Sequence, residues 1–126
     1  MENNFFPVFL DMQNKKVLVI GAGKIAFRKT ETLLSYGAKI KVITRDIKEE
    51  KFKELKNIEL SLEDFKEDML EDIFMVVAAT DDSVFNKYIF ELCSKKNILV
   101  NNITSKTEMN CRFSSIYENG EYQIAI

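Results

Sequence analysis

Residues 17–26 place an apolar, β-branched run directly before two glycines that stand one residue apart. Gly21 permits a sharp exit from a strand, and Gly23 lets the backbone approach a phosphate with no Cβ in the way. Ala26 is small enough to keep a following helix close to the sheet, so that the helix N-terminus faces the anion. This order of strand, glycine turn and helix predicts a dinucleotide-binding site, whereas the spacing G-x-G-x-x-A taken alone also fits a plain βα turn.

Apolar runs alternate with helical patterns along most of the 126 residues, which is typical of β-α-β units around a parallel sheet. The pattern predicts strands at 17–20, 39–44, 58–62, 73–79 and 98–101. It predicts helices at 24–36 and from the capping residues 80–83 to Lys96. It also predicts a short charged surface helix at 46–56 and a brief acidic helix or turn at 64–72. We therefore expect an α/β fold, with a Rossmann-like, doubly wound and mainly parallel sheet.

The pattern changes after residue 110. Residues 111–126 alternate around Asn119-Gly120, a dipeptide that favours a β-hairpin. We expect residues 1–110 to form the NAD(P)-binding domain and residues 111–126 to begin a hairpin extension. Because the chain stops at Ile126 inside a predicted strand, we expect it to be a fragment of a longer protein.

Composition excludes several classes of function. The net charge of −2 does not favour a nucleic-acid partner. Histidine, the commonest metal ligand and general base, is absent, so we expect no metal site and any acid–base step must use another group. Cys93 and Cys111 fit reduced, packed thiols. The N-terminus lacks the regions of a signal peptide, and the apolar run 73–79 is too short to span a bilayer, so we expect a cytoplasmic protein without a membrane partner.

The segment after the second predicted strand bears on which dinucleotide binds. In this fold an acidic residue there binds the ribose hydroxyls, whereas an arginine accommodates a 2′-phosphate. Asp46 fits the ribose of NAD, while Arg45 fits either stacking on adenine or the phosphate of NADP. Both residues also fit a simple exposed loop, so the local sequence leaves the choice open.

The far wall of the site is expected at the end of the fourth predicted strand. Ligands of doubly wound sheets lie outside the carboxyl ends of the strands. Thr80 and Asp81 follow that strand directly, so we expect them to contact the cofactor. Helix capping by Asp81, Asp82 or Ser83 is a second role that the same segment fits.

Five segments together carry a resemblance to one family. They are residues 5–12, 15–29, 77–86, 98–102 and 113–116. Phe27-Arg28-Lys29 after the glycine turn, combined with Ala-Ala-Thr-Asp-Asp at 78–82, is more specific than the glycines alone. In these segments the chain resembles the N-terminal NAD-binding domain of the precorrin-2 dehydrogenase and siroheme synthase family, and the resemblance covers nearly the whole chain.

The resemblance implies an NAD-dependent oxidation of the tetrapyrrole precorrin-2 to sirohydrochlorin, on the way to siroheme. It implies a tetrapyrrole as the substrate, a homodimer in the full-length protein, and a dimerisation or substrate region after the hairpin. Together with Asp46, the resemblance favours NAD rather than NADP as the cofactor. Carried over onto matching positions, the cofactor contacts would come from Gly21, Gly23, Lys24, Ile25, Arg45, Asp46 and Thr80.

One position departs from the family pattern. Family members carry a catalytic aspartate three residues after the position of Asn101, where this chain has Thr104. A threonine cannot act as a carboxylate base at neutral pH. Glu108 is close in sequence, although nothing in the spacing requires it to substitute, so the catalytic residue stays unassigned. The alternative is a non-catalytic NAD(P)-binding module, regulatory or vestigial, and a third reading is a Rossmann-like domain used for protein association.

Overall fold

The computed structural model of the chain describes residues 4–114, 116–120 and 122–125. Ile126 and Glu121, which the sequence places in the hairpin, lie outside the described residues. The main-sheet strands are β1 (Lys16–Ile20), β2 (Lys39–Thr44), β3 (Ile58–Leu62), β4 (Met75–Ala78) and β5 (Leu99–Asn102). The α-helices are α1 (Lys24–Ser35) and α2 (Ser83–Lys95). Two 3-10 helices span Glu50–Glu54 and Glu67–Leu70, and the last strands are β6 (Ile116–Asn119) and β7 (Tyr122–Ala125).

The five main strands are all parallel and stand in the order β3-β2-β1-β4-β5. The strand order reverses between β1 and β4, which are direct neighbours with Ile20 opposite Ala78. β6 and β7 pair antiparallel as a separate hairpin. The predicted α/β fold, a Rossmann-like parallel sheet with a C-terminal hairpin, is confirmed.

The sheet is buried on both faces, which explains why its central strands are continuous apolar runs. Successive side chains of a strand point to opposite faces, so β1 contributes to two cores. Val19 packs in the cluster that contains Ala26 of α1, and Ile20 packs in the cluster that contains Ile89 of α2. The two helices therefore cover opposite faces of the sheet and leave the carboxyl ends of its central strands accessible between them.

The charged segment at 46–56 forms less helix than its sequence predicts. Only one 3-10 helix, Glu50–Glu54, is present. Its Phe52 is buried and meets the ring of Phe27 edge-on, with centroids 5.3 Å apart and an interplanar angle of 85°. One short turn is enough to bury this single aromatic anchor, since the other residues of the turn are charged and face water.

The α-helices are short. They contain 12 and 13 residues, whereas a helix that crosses a bilayer needs about 20 apolar residues. In the part of the chain that the structure describes, no helix meets the length and apolarity that a membrane span requires.

Candidate functional site

The carboxyl ends of β1, β2 and β4 open onto one cavity of about 880 Å³, a volume typical of small-molecule and cofactor sites. The cavity lies beside the point where the strand order reverses, which is where open α/β sheets bind their ligands. All the cofactor-contact residues named from the sequence line it: Gly21, Gly23, Lys24, Ile25, Arg45, Asp46, Thr80 and Asp81. The fold thus brings together three loops that are far apart in sequence.

The two glycines of the turn have different surroundings. Gly21 has a φ of +113°, and a Cβ built on it would lie 2.6 Å from the carbonyl carbon of Ala79 and closer still to the carbonyl oxygen. The fold itself therefore demands glycine at this position. Gly23 has a φ of −93°, and no described atom lies within 4 Å of a Cβ built there. Packing does not demand glycine at Gly23, so the space that its missing Cβ leaves is available to a ligand.

The N-terminus of α1 is ready to receive an anion. The N-cap residue of α1 is Gly23, and no side chain among the described residues makes a capping hydrogen bond there. The first turn contains Lys24 and no acidic residue. The first N–H groups of a helix lack intrahelical partners and carry a partial positive charge. α2 differs, because Oδ1 of its N-cap Asp82 accepts the N–H groups of Val84 at 3.0 Å and Phe85 at 3.1 Å. A dinucleotide pyrophosphate thus fits α1 and not α2, and Asp82 rather than Asp81 takes the capping role.

Asp64 pairs with the arginine expected at the ribose. Its Oδ1 lies 2.6 Å from Nε of Arg45, and this contact raises the pKa of Arg45 above its ordinary value. Asp46 stands beside the pair, where its backbone carbonyl accepts the Thr44 hydroxyl at 2.6 Å and its side chain is left exposed. Asp64 was not predicted from the sequence, although its position two residues after the end of β3 puts it at the same carboxyl edge of the sheet.

Lys48 holds the loop after β2 against the glycine turn. The backbone N–H groups of Lys48 and Glu49 both donate to the carbonyl of Ala22, at 3.1 and 2.9 Å. Nζ of Lys48 lies 2.6 Å from Oδ2 of Asp81, on the far side of the cavity. The sequence analysis passed over Lys48 because its segment is rich in charged residues that look like an ordinary solvated surface.

The three residues that carried the family resemblance after the turn occupy three environments. Phe27 is buried against Phe52, and Arg28 lines the cavity. Nζ of Lys29 lies 4.4 Å from the ring centroid of Phe113, and burial lowers the pKa of Lys29. Of the three, Arg28 is the one placed to contact a ligand. The sequence could have indicated this, because Arg28 lies four residues after Lys24 and therefore on the same face of the helix.

Asn86 joins the end of β4 to the loop after β5. This side chain of α2 is fully buried. Its Oδ1 accepts the Thr80 hydroxyl at 2.6 Å, while its Nδ2 donates to the Thr80 carbonyl at 3.0 Å and to Oγ1 of Thr104 at 3.2 Å. The sequence analysis assigned Asn86 no role, although a polar residue on the same helix face as Ile89 and Cys93 has to be paired when it is buried.

The two candidates for a catalytic role lie beside the cavity rather than in its wall. Thr104 and Glu108 are absent from the described residues that line it. The Thr104 hydroxyl donates to Oδ1 of Asn102 at 2.9 Å. Oε2 of Glu108 lies 3.4 Å from Nζ of Lys87, an ion pair at the surface. The structure thus does not bring Glu108 together with the predicted cofactor contacts.

Neither cysteine has the environment of a reactive thiol. Cys93 is fully buried, and burial raises its pKa to about 12. Burial also raises the pKa of Cys111, an effect that the nearby charge of Lys29 only partly offsets. Both thiols are free. Among the described residues, no group of three or more Cys, Asp and Glu side chains is placed to hold a metal ion.

Comparison with known proteins gives consistent matches. A family described as "Putative NAD(P)-binding" matches residues 8–115. The siroheme synthase of Actinobacillus pleuropneumoniae serotype 3 is 33% identical over 125 residues, and that of Buchnera aphidicola is 35% identical over the same length. Each match covers 98% of this chain, which spans only 26% of either relative. A solved structure titled "SirC, precorrin-2 dehydrogenase" superposes with a TM-score of 0.82 and 28% identity, over 97% of this chain and 61% of that one.

Proposed function

Because this chain belongs to the NAD(P)-binding family matched at residues 8–115, we propose that it binds NAD for the oxidation of precorrin-2 to sirohydrochlorin in siroheme biosynthesis. The observation that carries the proposal is the agreement of fold with a precorrin-2 dehydrogenase over 97% of the chain. The cavity at the glycine turn supports it, since every expected cofactor contact lines that cavity.

The residues of the turn bind the pyrophosphate in this proposal. The N–H groups at the start of α1 donate to phosphate oxygens, and the absent Cβ of Gly23 allows the close approach. Lys24 adds a cation in the first helical turn. Asp46 binds the ribose hydroxyls, and Thr80, held by Asn86, forms the far wall.

When bound, the nicotinamide ring supplies the hydride acceptor. The apolar side chains of Ala79, Phe85 and Ile103 line the cavity near the ends of β4 and β5, where they limit the access of water to the reacting atoms. The oxidation also releases a proton. The hydroxyl of Thr104 is too weak a base to accept that proton at neutral pH, so the proton would pass to solvent water.

A non-catalytic NAD(P)-binding module is the second candidate, and one observation favours it. Thr104 replaces the carboxylate that the family resemblance implies, and the nearest acidic candidate, Glu108, is engaged by Lys87 outside the cavity wall. Such a module would bind the dinucleotide at the same turn and serve a regulatory role.

We extend the proposal to the organisation of the protein. Residues 1–110 would form the NAD(P)-binding domain, and residues 111–126 would begin the hairpin extension. The segments that complete the tetrapyrrole cleft and a homodimer would belong to the full-length protein. The hairpin supports this division, because β6 and β7 form a sheet of their own. It also contacts the first domain, since Nε2 of Gln123 donates to the Tyr36 hydroxyl at 3.0 Å.

Precorrin-2 oxidation is the direct test. We expect the full-length protein, supplied with precorrin-2 and NAD, to produce NADH, followed by its absorbance. At an NAD concentration that does not saturate it, the Gly23→Ala variant should produce NADH far more slowly. If calorimetry detects NAD binding but no NADH forms, the proposed oxidation of precorrin-2 is wrong and the second candidate, the non-catalytic module, is supported. If neither NAD nor NADP binds, both candidates are wrong.

We expect NAD to bind at least tenfold more tightly than NADP, a difference of about 1.4 kcal/mol. Asp46 and Asp64 place negative charge at the ribose side, and Asp64 holds the guanidinium of Arg45. A 2′-phosphate would be repelled by these two carboxylates, one of which already neutralises the charge of Arg45. Calorimetric titration with both dinucleotides measures the preference.

Two substitutions locate the origin of this preference. Asp64→Asn should reduce the preference for NAD over NADP several-fold, because the substitution removes a charge that repels the 2′-phosphate and releases Arg45. The exposed Asp72 does not line the cavity, so Asp72→Asn is the matched control and should leave the preference unchanged. Tighter binding of NADP than of NAD, abolished by Arg45→Ala, would contradict the prediction.

A further inference from the structure

We propose that Lys48 is a pyrophosphate-binding residue of this cavity and that Asp81 is the partner it leaves when the dinucleotide binds. The inference rests on the proposed binding of a dinucleotide at the glycine turn. It gives Asp81 a different role from the direct cofactor contact that the sequence predicts.

The backbone places Lys48 next to the turn. The N–H groups of Lys48 and Glu49 both donate to the carbonyl of Ala22, the residue between the two glycines. Two hydrogen bonds to one acceptor fix the position of this loop relative to the start of α1. A long, flexible side chain anchored there can bring its ammonium group to an anion held by the turn.

The side chain of Lys48 already reaches across the cavity. Its Nζ lies 2.6 Å from Oδ2 of Asp81, and both residues line the cavity wall. The two side chains are 57% and 80% exposed, so the ion pair lies at the mouth of the cavity and not in its interior. The contact lowers the pKa of Asp81 and raises the pKa of Lys48, so both groups are charged at neutral pH.

A pyrophosphate is the stronger partner for this ammonium group. Exposed ion pairs contribute little to stability because both charges stay hydrated, so Lys48 exchanges its partner at small cost. The pyrophosphate offers more negative charge than one carboxylate, and the uncapped start of α1 would hold it in place. Asp81, left unpaired, would then repel the bound anion weakly.

ADP and adenosine separate a pyrophosphate contact from a contact to the base or the ribose. In calorimetric titrations of the full-length protein, Lys48→Met should weaken ADP binding about tenfold and change adenosine binding by less than about twofold. Lys51→Met, an exposed lysine in the same segment that does not line the cavity, is the control and should leave both affinities unchanged. Lys48→Arg should retain most of the ADP affinity, which also excludes misfolding as the cause.

Asp81→Asn tests the second half of the inference. It should tighten ADP binding about threefold in the wild-type background, where it both frees Lys48 and removes the repulsion. When Lys48 is methionine the gain should fall below about 1.5-fold, because only the weak repulsion is then removed. Weaker ADP binding by Asp81→Asn would mean that Asp81 contacts the ligand itself and would overturn its role as the resting partner.

Two outcomes separate this inference from the proposed function. Unchanged ADP binding by Lys48→Met, or an equal loss for ADP and adenosine, overturns the role of Lys48 while dinucleotide binding stands. A wild-type protein that binds neither ADP nor NAD overturns both.

Discussion

Alanine at Gly23 should weaken NAD binding roughly 100-fold and leave the fold intact, whereas alanine at Gly21 should destabilise the fold itself. At Gly23 the added methyl group meets no described protein atom, so its expected effect on stability is below about 1 kcal/mol. In the proposed complex it would fill the space through which the backbone approaches the pyrophosphate. Losing the charged hydrogen bonds made there accounts for about 1.5–3 kcal/mol of binding free energy.

At Gly21 the same substitution faces two penalties. The φ of +113° is strained for any residue with a side chain, at about 1–3 kcal/mol. The new Cβ also overlaps the backbone carbonyl of Ala79, which cannot move without disturbing the end of β4. We expect a loss of about 3 kcal/mol or more, seen as a fall in Tm of roughly 10 °C.

Thermal unfolding and calorimetric titration with NAD measure the two effects separately. The two variants carry the same chemical change two residues apart, so each serves as the control for the other. Unimpaired NAD binding by Gly23→Ala would show that the pyrophosphate does not lie against this turn. A stable Gly21→Ala protein would contradict the steric argument at Ala79.

Thr104→Asp should raise the rate of precorrin-2 oxidation by the full-length protein by about tenfold. This gain is smaller than the roughly 10²–10⁴ of a well-placed general base, because residue 104 lies beside the cavity wall. A carboxylate at this position would accept the hydrogen bond that Nδ2 of Asn86 now donates to the threonine hydroxyl at 3.2 Å. Oδ1 of Asn102, now 2.9 Å from that hydroxyl, would oppose a negative charge and raise the pKa of the new aspartate.

The pH profile of Thr104→Asp checks the mechanism. A base acts in its deprotonated form, so the added activity should be lost as the pH falls through the pKa of the new carboxylate and be constant above it. Thr104→Asn has a similar size without the basicity and should stay at the wild-type rate. Equal rates for the aspartate and asparagine variants would show that the missing carboxylate does not limit the reaction.

The sequence predicted most of the fold, because each element depends on local periodicity. The predicted strand at 39–44 and the observed β2 coincide, and the predicted strand at 73–79 contains β4. The family resemblance is confirmed by the matches to siroheme synthases and to the precorrin-2 dehydrogenase structure. The helix predicted at 46–56 is longer than the 3-10 helix that forms, Glu50–Glu54. The charged composition of the segment does not reveal that only Phe52 is buried there, which one short turn achieves.

The sequence by itself determined the parallel sheet and the glycine turn after β1, because periodicity and the two glycines act over a few neighbouring residues. Only the tertiary structure decided which side chains pair around the cavity. Arg45 and Asp64 are 19 residues apart, and Lys48 and Asp81 are 33 residues apart. The two residues of each pair lie on different loops, which come together only when the strands stand in the order β3-β2-β1-β4. No local sequence pattern specifies that these loops lie side by side.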